Sequence, residues 1–389
     1  MKWVSILGST GSIGKNSLKI IDRKKKFFKI YLLSANKNYK LINLQIKKYN
    51  PKVFIINDRE IFEKFKKKFN KKKIKILNDI NKLSINKKID ITISAIPGIA
   101  GLKPTLKMIK KSKKILVANK ESIICGWSLI KSRANKYKTK IIPIDSEHYS
   151  VLKLIEDHNK HEIDKIFITA SGGPFLNLKT SKFKNIKPKD ALKHPKWKMG
   201  KKISIDSSNL MNKILEIIEA EKIFDLPQNK LDILIHPESL VHAIVVFKNG
   251  LAKFIYHQTS MLIPLANAIF DGKINIKDFL NIKNTIKNKN FIENLTFKKV
   301  DTKIFPIYKL KKRVNEYPST PIIINAVNEI LVDHFLRKKI PFLSFYKIIM
   351  TILNDRNYRK YAIKVPKNIN QINNIDLWAR KKAKERIRF

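Results

Sequence analysis

Three polar clusters could do chemistry in a chain whose acids are scarce, 31 Asp and Glu against 82 Lys and Arg. "ANKES" (118–122) follows the apolar run "ILV", and "IDSEH" (144–148) follows "KIIP". On an extended segment the carboxylates of Asp145 and Glu147, two residues apart, face one side and can share a hard divalent cation. In the third cluster, "DSSNLMNKILE" (206–216), helical spacing puts Asn212 and Glu216 on one face with Lys213 beside them. Glu216 could complete a metal site with Asp145 and Glu147, while Ser207, Asn212 and Lys213 offer donors to an anion. "ASGGPF" (170–175) adds a Ser-Gly-Gly turn with backbone donors of the kind that cradle phosphate. Taken singly, two acids at a strand end are a solvated pair, and "NK" is a common dipeptide here. His148, His194, His236 and His242 singly read as surface or satisfied core residues. Co-occurrence of the clusters favours a site.

A fourth candidate lies at the N-terminus. "VSILGSTGSIGKN" carries glycines at 8, 11 and 14, a G-x-x-G-x-x-G spacing rather than the common G-x-G-x-x-G. An apolar strand ends at Gly8 and a helix follows. Backbone N–H groups of the turn, with the hydroxyls of Ser9, Thr10 and Ser12, can hold a pyrophosphate against the helix N-terminus. The alternative is a plain tight turn. A second strand ends in Ser34-Ala35-Asn36-Lys37-Asn38, without the acid that favours NAD, so the site suits the 2′-phosphate of NADP.

The elements that must position these groups alternate. Over 1–145, "WVSIL", "FKIYLLSA", "KVFII", "IDITISAI", "KKILVAN" and "KIIPI" read as strands, with helix-like segments at 17–23, 39–49, 59–69 and 102–111. That alternation implies a Rossmann-like parallel sheet whose ligands sit at the strands' carboxyl ends. Over 146–272 the strand-like "KIFITASGGPF", "LDILIHPES" and hairpin-like "HAIVVFKNGLAKFIYH" surround a helical "SNLMNKILEIIEAEKIF", an α+β catalytic domain. Residues 273–302 read as a Lys/Asn-rich linker and 303–389 as a C-terminal α-helical domain. The fold class is therefore α/β with three domains.

The net charge of +51 invites a nucleic-acid-binding reading. Only ten of the 82 basic residues are Arg, however, and the lysines are scattered among abundant Ile, Asn, Tyr and Phe, all with A/T-rich codons. Composition bias explains the charge better than a specific nucleic-acid partner. The single cysteine, Cys125, excludes an internal disulfide framework and fits a reducing compartment. No apolar run approaches a membrane span, and glycines break the N-terminal apolar stretch too early for a secretory leader. A cytoplasmic, bacterial setting without membrane attachment is expected.

"GSTGSIG", "ANKES", "DSEH", "SGGPF", "HPKWKMGKKISIDSSNLMNK", "LIHPESLVH" and "NAVNE" occur in this order. As a set, over about residues 1–330, they resemble the 1-deoxy-D-xylulose 5-phosphate reductoisomerase family of the methylerythritol phosphate route to isoprenoids. The resemblance implies that Thr10, Gly11, Ser12 and Ile13 bind the NADPH pyrophosphate and that Asn36, Lys37 and Asn38 lie on the 2′-phosphate side. It places Asn119, Glu121 and Gly200 along the same cofactor. Asp145, Glu147 and Glu216 would ligate Mg²⁺ or Mn²⁺. Lys120 and Ser146 would touch the reacting part of a small phosphorylated sugar. Ser171, Ser207, Asn212 and Lys213 would hold its phosphate. Residues 194–201, with His194, Trp197 and Met199, match a mobile lid, and His242 matches an active-site histidine.

A homodimer is also implied. The reaction implied is a skeletal rearrangement to an aldehyde that NADPH reduces, giving 2-C-methyl-D-erythritol 4-phosphate. The chain also departs from the family. Ile214 stands for the glycine of "NKGLE", Asn209-Leu210 for Thr-Met, and Asn36 for a frequent glycine. "HQTSMLIP" (257–264) stands where the family reads close to "G-x-PDMR-x-P", a change expected to touch local packing or a subunit interface more than chemistry. The metal and phosphate residues are all present, so an active enzyme is expected. Another NADP-dependent oxidoreductase acting on a metal-chelating hydroxy-ketone remains the alternative among enzymes, and a basic nucleic-acid-binding protein the alternative outside them.

Overall fold

The computed structural model describes residues 1–69, 73–197, 199–280 and 294–387, which group into two compact units. The first holds Met1–Ser122, Ser128–Tyr149 and the segment that begins at Ser260. Its seven strands are β1 (Lys2–Leu7), β2 (Phe28–Ala35), β3 (Val53–Ile56), β4 (Lys75–Leu77), β5 (Ile89–Ser94), β6 (Ser112–Val117) and β7 (Lys140–Pro143). They form one parallel sheet in the order β4-β3-β2-β1-β5-β6-β7. Strands buried on both faces read as unbroken apolar runs, as "VFII" in β3 does. Connecting helices are α1 (Ser12–Arg23), α2 (Tyr39–Tyr49), α3 (Arg59–Lys68), α4 (Leu102–Ile109), α5 (Lys120–Tyr137) and α6 (Ser146–Leu154).

Side-chain caps decide several helix starts. The side chain of Asn38 accepts from Leu41 N–H to open α2, and that of Asp58 accepts from Ile61 N–H to open α3. Strand order reverses between β1 and β5, and such a switch point opens a crevice at the strands' carboxyl ends. The turn after β1 sits there, and the carbonyl of Ala95, just past β5, lies 2.6 Å from where a Cβ on Gly8 would stand. Gly8 also has φ +84°, so only glycine fits.

Two expectations for this unit change. Helix α1 begins at Ser12, not at 17, because Gly14 lets the first turn close on the backbone of Gly8 and Ser9. The short strand β4 is invisible in the sequence, three residues being too few to show a period.

The second unit holds Ile123–Trp127, Ser150–Thr259 and the described residues from 294 to 387. Its mixed sheet runs β11-β10-β8-β9-β12, from β8 (Ile163–Ala170), β9 (Leu231–Ile235), β10 (Val241–Phe247), β11 (Ala252–Tyr256) and β12 (Lys298–Lys299). Strands β8 and β9 are parallel, while β10 runs antiparallel to β8 and β11. Helices α7 (Pro188–Ala191), α8 (Lys201–Ser208) and α9 (Met211–Phe224) follow β8. Helix α10 (Leu262–Phe270) belongs to the first unit, where it packs on α1. The remaining helices are α11 (Thr320–Leu336), α12 (Ser344–Leu353), α13 (Tyr358–Ala362) and α14 (Ile369–Ile387), with α14 packed on α11 and α12.

The units cut across the boundaries read from the sequence. Residues 260–270 group with the first sheet, the second sheet and the C-terminal helices form one unit, and β12 lies inside the expected linker. Residues 281–293 of that linker lie outside the described residues. The expected helix over 208–224 is two helices, because Leu210 takes φ +71° and stops α8 before α9 begins.

A Cβ on Gly14 would lie 2.3 Å from the Gly8 carbonyl oxygen. Gly14→Ala should lower stability by about 1–3 kcal/mol, read as a lower urea midpoint. An unchanged midpoint would show that the turn is looser than the structure has it.

Candidate active site

In the first unit the turn after β1 is fixed by main-chain bonds. The N–H groups of Gly8 and Ser9 donate to the Ser34 carbonyl at the end of β2 (3.1 and 2.8 Å), and Gly11 N–H donates to Gly8 (3.1 Å). Gly11 is the N-cap of α1 with no side-chain cap bond, and the first turn of α1 holds no acid. Gly11 and Ser12 are exposed, with Thr10 and Ile13 half-buried beside them. This helix N-terminus is open to an anion. Ser9 is different from the expectation: its hydroxyl is buried against the Ser34 carbonyl (3.1 Å) and Gln45 Oε1 (2.6 Å), so it holds the turn and faces no ligand.

Asn36, Lys37 and Asn38 are exposed at the end of β2. Asn36 takes no left-handed backbone, so the family's glycine is not required there. Lys37 Nζ lies 3.9 Å from Asp58 at the head of α3, a long, solvent-facing pair that holds Lys37 only loosely. Asn57, Asn78, Asp79 and Lys103 line a cleft with Ser34 and Pro104 at this end of the sheet. Sequence reading missed these four. The signal for Asn57, Asn78 and Asp79 was the polar residue after a strand, β4 itself going unseen, while Lys103 lies inside α4 and carried none.

At the ends of β6 and β7 the same unit carries the first two polar clusters. Asn119 caps α5, accepting from Ser122 N–H (2.8 Å), while its amide donates to the carbonyls of Gly98 (2.9 Å) and Ile96. It therefore ties the loop after β5 to the start of α5. Lys120 opens α5, where the helix's positive end opposes its charge, and Asp145 offsets it at 2.7 Å. Glu121 lies buried in that first turn. Asp145 accepts from Ser146 N–H (3.1 Å), and the Ser146 hydroxyl donates to Glu147 (2.7 Å). Asp145 and Glu147 do not lie on an extended segment as expected: the chain turns into α6 at Ser146, so Glu147 sits in the first turn of a helix. The cause is the stop of β7 at Pro143, after which Tyr149 N–H bonds Asp145.

In the second unit the anion-type residues converge. Gly172 and Gly173 take φ of +80° and +63°, and a Cβ on Gly173 would stand 3.0 Å from the Ser207 carbonyl. The Ser-Gly-Gly turn thus packs on the Ser207 backbone. Asn209, in place of the family's threonine, accepts from Met211 N–H (3.0 Å) and so helps start α9, whose first turn holds no acid. Asn212 and Lys213 stand in that first turn. The Asn212 amide donates to Glu216, and Lys213 Nζ reaches the other carboxylate oxygen at 2.9 Å. Glu216 is 1% exposed. Ile214 is fully buried inside α9, a position that does not need glycine.

Residues 194–197, expected to belong to a lid, meet the Ser171 turn. His194 Nδ1 accepts from the N–H groups of Lys196 (3.2 Å) and Trp197 (2.9 Å), which leaves its proton on Nε2 to donate to Ser171 Oγ (3.0 Å). Ser171 Oγ also accepts from Gly173 N–H (3.1 Å). The serine's own hydrogen has no acceptor among the described residues and can turn to an anion. Burial, then the charge of Lys213, pushes the His194 ring down to about 4. The rings of Trp197 and His242 meet in a T-shaped contact (5.9 Å between centroids), and the His242 ring stacks on that of His257 (3.9 Å). His257 belongs to the 257–264 departure, so that change reaches the site rather than only distant packing. Burial, then His257, holds the His242 ring well below its ordinary range. Met199 is half-buried, Gly200 is the N-cap of α8, and Lys198 lies outside the described residues.

A parallel sheet with a glycine turn at its switch point, and a separate unit carrying an anion cradle, place the chain among the dinucleotide-dependent oxidoreductases. A family model described as 1-deoxy-D-xylulose 5-phosphate reductoisomerase matches residues 4–126. Models of the C-terminal domains of the same enzyme match 141–224 and 258–382. The chain is 46% identical over 384 residues to the 1-deoxy-D-xylulose 5-phosphate reductoisomerase of Pelagibacter ubique, covering 97% of each. It is 40% identical to that of Thermodesulfovibrio yellowstonii, over all of both chains. A solved reductoisomerase from Zymomonas mobilis in complex with NADPH superposes with TM-score 0.88 at 31% identity, covering 99% of each chain. Another, solved with NADPH, fosmidomycin and magnesium, gives TM-score 0.90 at 29% identity over 100% of this chain and 98% of that one. The chain belongs to the 1-deoxy-D-xylulose 5-phosphate reductoisomerase family.

The His194 ring should stay neutral, with its proton on Nε2, throughout the physiological range. Its value lies below the 6.5 of the free side chain, so its contribution to stability is full above that pH and is lost as pH falls toward 4. A ¹⁵N-resolved NMR titration checks this, and a midpoint near 6.5 would refute the hydrogen-bond assignment.

Proposed function

We propose that the chain converts 1-deoxy-D-xylulose 5-phosphate to 2-C-methyl-D-erythritol 4-phosphate in isoprenoid precursor biosynthesis, using NADPH and Mg²⁺ or Mn²⁺. The observation that carries the reading is the union of an anion cradle and a buried carboxylate on α9. Asn212 and Lys213, within one helical turn of Glu216 on α9, offer donors to a phosphate, and Ser207 on α8 and Ser171 in the turn after β8 add theirs. Fosmidomycin and magnesium, named together for one solved relative, fit the same pairing of an anion with a divalent cation.

The residues suit both cofactors. For NADPH, Gly8 and Gly14 keep the backbone where a Cβ would collide, and the open N-terminus of α1 accepts the pyrophosphate through Thr10, Gly11, Ser12 and Ile13. Lys37, with Asn36 and Asn38 beside it, would hold the 2′-phosphate in preference to its long pair with Asp58. The cleft lined by Asn57, Asn78 and Asp79 would take the adenosine end, and Asn119, Glu121 and Gly200 would serve the same cofactor. For the metal, Asp145, Glu147 and Glu216 are hard oxygen donors of the kind magnesium and manganese prefer. When bound, the metal supplies Lewis-acid polarisation of the substrate's carbonyl and hydroxyl oxygens, and NADPH supplies hydride.

The chain's own groups do the rest. Lys120, held at the head of α5 by Asp145, and Ser146 would serve the reacting carbons, where a cation stabilises developing enolate charge. The phosphate cradle spends binding energy on orientation. Lys213 and Glu216 neutralise each other here, and a phosphate paired with a divalent cation offers each an opposite partner, so no buried charge is left alone. Trp197, tethered through His194 to Ser171, covers the substrate and excludes water. His242 backs the tryptophan. The working form is a cytoplasmic homodimer with no specific nucleic-acid or membrane partner. Among the described residues no helix is long and apolar enough to cross a membrane.

Purified protein should oxidise NADPH only when 1-deoxy-D-xylulose 5-phosphate and Mn²⁺ or Mg²⁺ are both present. Folded protein without turnover, but with salt-dependent retention on polyanions, would favour the nucleic-acid reading. Glu216→Gln should lower kcat by roughly a thousandfold while NADPH binding, followed by fluorescence, persists. Lys213→Ala should weaken substrate use about ten- to a hundredfold. Activity surviving Lys213→Ala would favour an unphosphorylated hydroxy-ketone.

A further inference from the structure

The 257–264 segment departs most from the family pattern, and its first residue stands beside the site. His257 replaces a glycine, and its ring covers one face of His242 at 3.9 Å between centroids and 21° between planes. Two further bonds lock the pair. His242 Nε2–H donates to the main-chain carbonyl of His257 (3.3 Å), and His257 Nδ1–H donates to the carbonyl of Gln258 (2.8 Å). A carbonyl only accepts, so both tautomers are set. His242 sits on β10 and is 2% exposed. The edge-on contact with Trp197 is 5.9 Å at 72°. Trp197 itself is held at its backbone by His194, which bonds the phosphate-cradle serine. The indole is thus tied at one end to the anion cradle and rests at the other on the stacked pair.

We propose that His257 is a positioning residue of the substrate site. Its ring fixes the imidazole of His242 in one orientation and so builds the surface on which the lid tryptophan rests before substrate arrives. Glycine in its place leaves that face of His242 uncovered, held only by the main-chain carbonyl of residue 257, and Trp197 loses a firm seat. Such a seat lowers the cost of ordering the lid when substrate binds, so it acts on KM and leaves kcat alone. This inference rests on the assignment of residues 194–201 as the lid of the proposed substrate site.

The test compares His257→Ala, which removes the ring and keeps the main-chain carbonyl, with His257→Phe, which restores a flat ring. Each is made with and without Trp197→Phe, so that difference spectra isolate Trp197 emission from the other three tryptophans. His257→Ala should shift that emission to longer wavelength and raise KM for 1-deoxy-D-xylulose 5-phosphate about two- to tenfold, with kcat unchanged. His257→Phe should return both toward wild type. Unchanged Trp197 emission in His257→Ala, or a phenylalanine that rescues neither readout, overturns the proposal. A wild-type protein that turns over no substrate overturns the functional reading instead, and the emission arm still judges the ring stack.

Discussion

Glu216 holds a carboxylate where almost no solvent reaches it, and the second unit is arranged around that fact. An unpaired buried charge is costly, and two of its partners stand one turn back on its own helix: Lys213 by charge and Asn212 by its amide. Those partners are in place only because α9 begins where it does. Leu210 in a left-handed conformation ends α8, Asn209 bonds the first N–H beyond it, and α9 opens with Asn212 and Lys213 in its first turn. The strain of a left-handed leucine is thus spent at the point where the amide of Asn212, the ammonium of Lys213 and the carboxylate of Glu216 are brought onto one helix face. Gly173, packed on the Ser207 backbone, brings the Ser171 turn to the same place.

The first unit solves a related problem with close backbone approach. Parallel strands end together at one edge, and the order reverses between β1 and β5, so loops from both meet there. Gly8 and Gly14 let the turn after β1 pass within van der Waals distance of its neighbours, which leaves the head of α1 open. Asn119 does the corresponding work for the loops after β5 and β6, with its amide bonded to carbonyls on the first and its carbonyl capping α5. Lys120 is then delivered at the helix head beside Asp145, which offsets a cation placed against the helix dipole. Asn119, which ties the loops together, and Lys120, which the helix head presents, are adjacent in sequence yet do different work.

Much of this was legible from residue types and spacing. Alternating apolar runs and helical segments are local patterns, so six strands of the parallel sheet, α2 and the β10–β11 hairpin stand close to where periodicity puts them. Motifs such as "GSTGSIG", "DSEH" and "NKILE" carry their chemistry in adjacent residues and needed no fold to be noticed. The misreadings share a cause: each depended on a distant contact. Ser9 looked like a ligand donor until Gln45, thirty-six residues on, took its hydroxyl. Asp145 and Glu147 looked like strand neighbours because nothing local announces that α6 starts at Ser146. Helix α10 looked like part of the second unit because the sequence does not say that it packs on α1.

Which groups exist, in what order, and with what net charge follows from the chain alone, since covalent spacing and side-chain chemistry are local properties. So does the family, because its motifs are short and ordered. Burial, tautomer and partnership belong to tertiary structure. Only packing keeps Glu216 from water, puts the His194 proton on Nε2 by setting two backbone N–H groups against Nδ1, and lays His257 over His242. These properties depend on where water is excluded and which distant dipole is nearest, and neither is encoded at a single position.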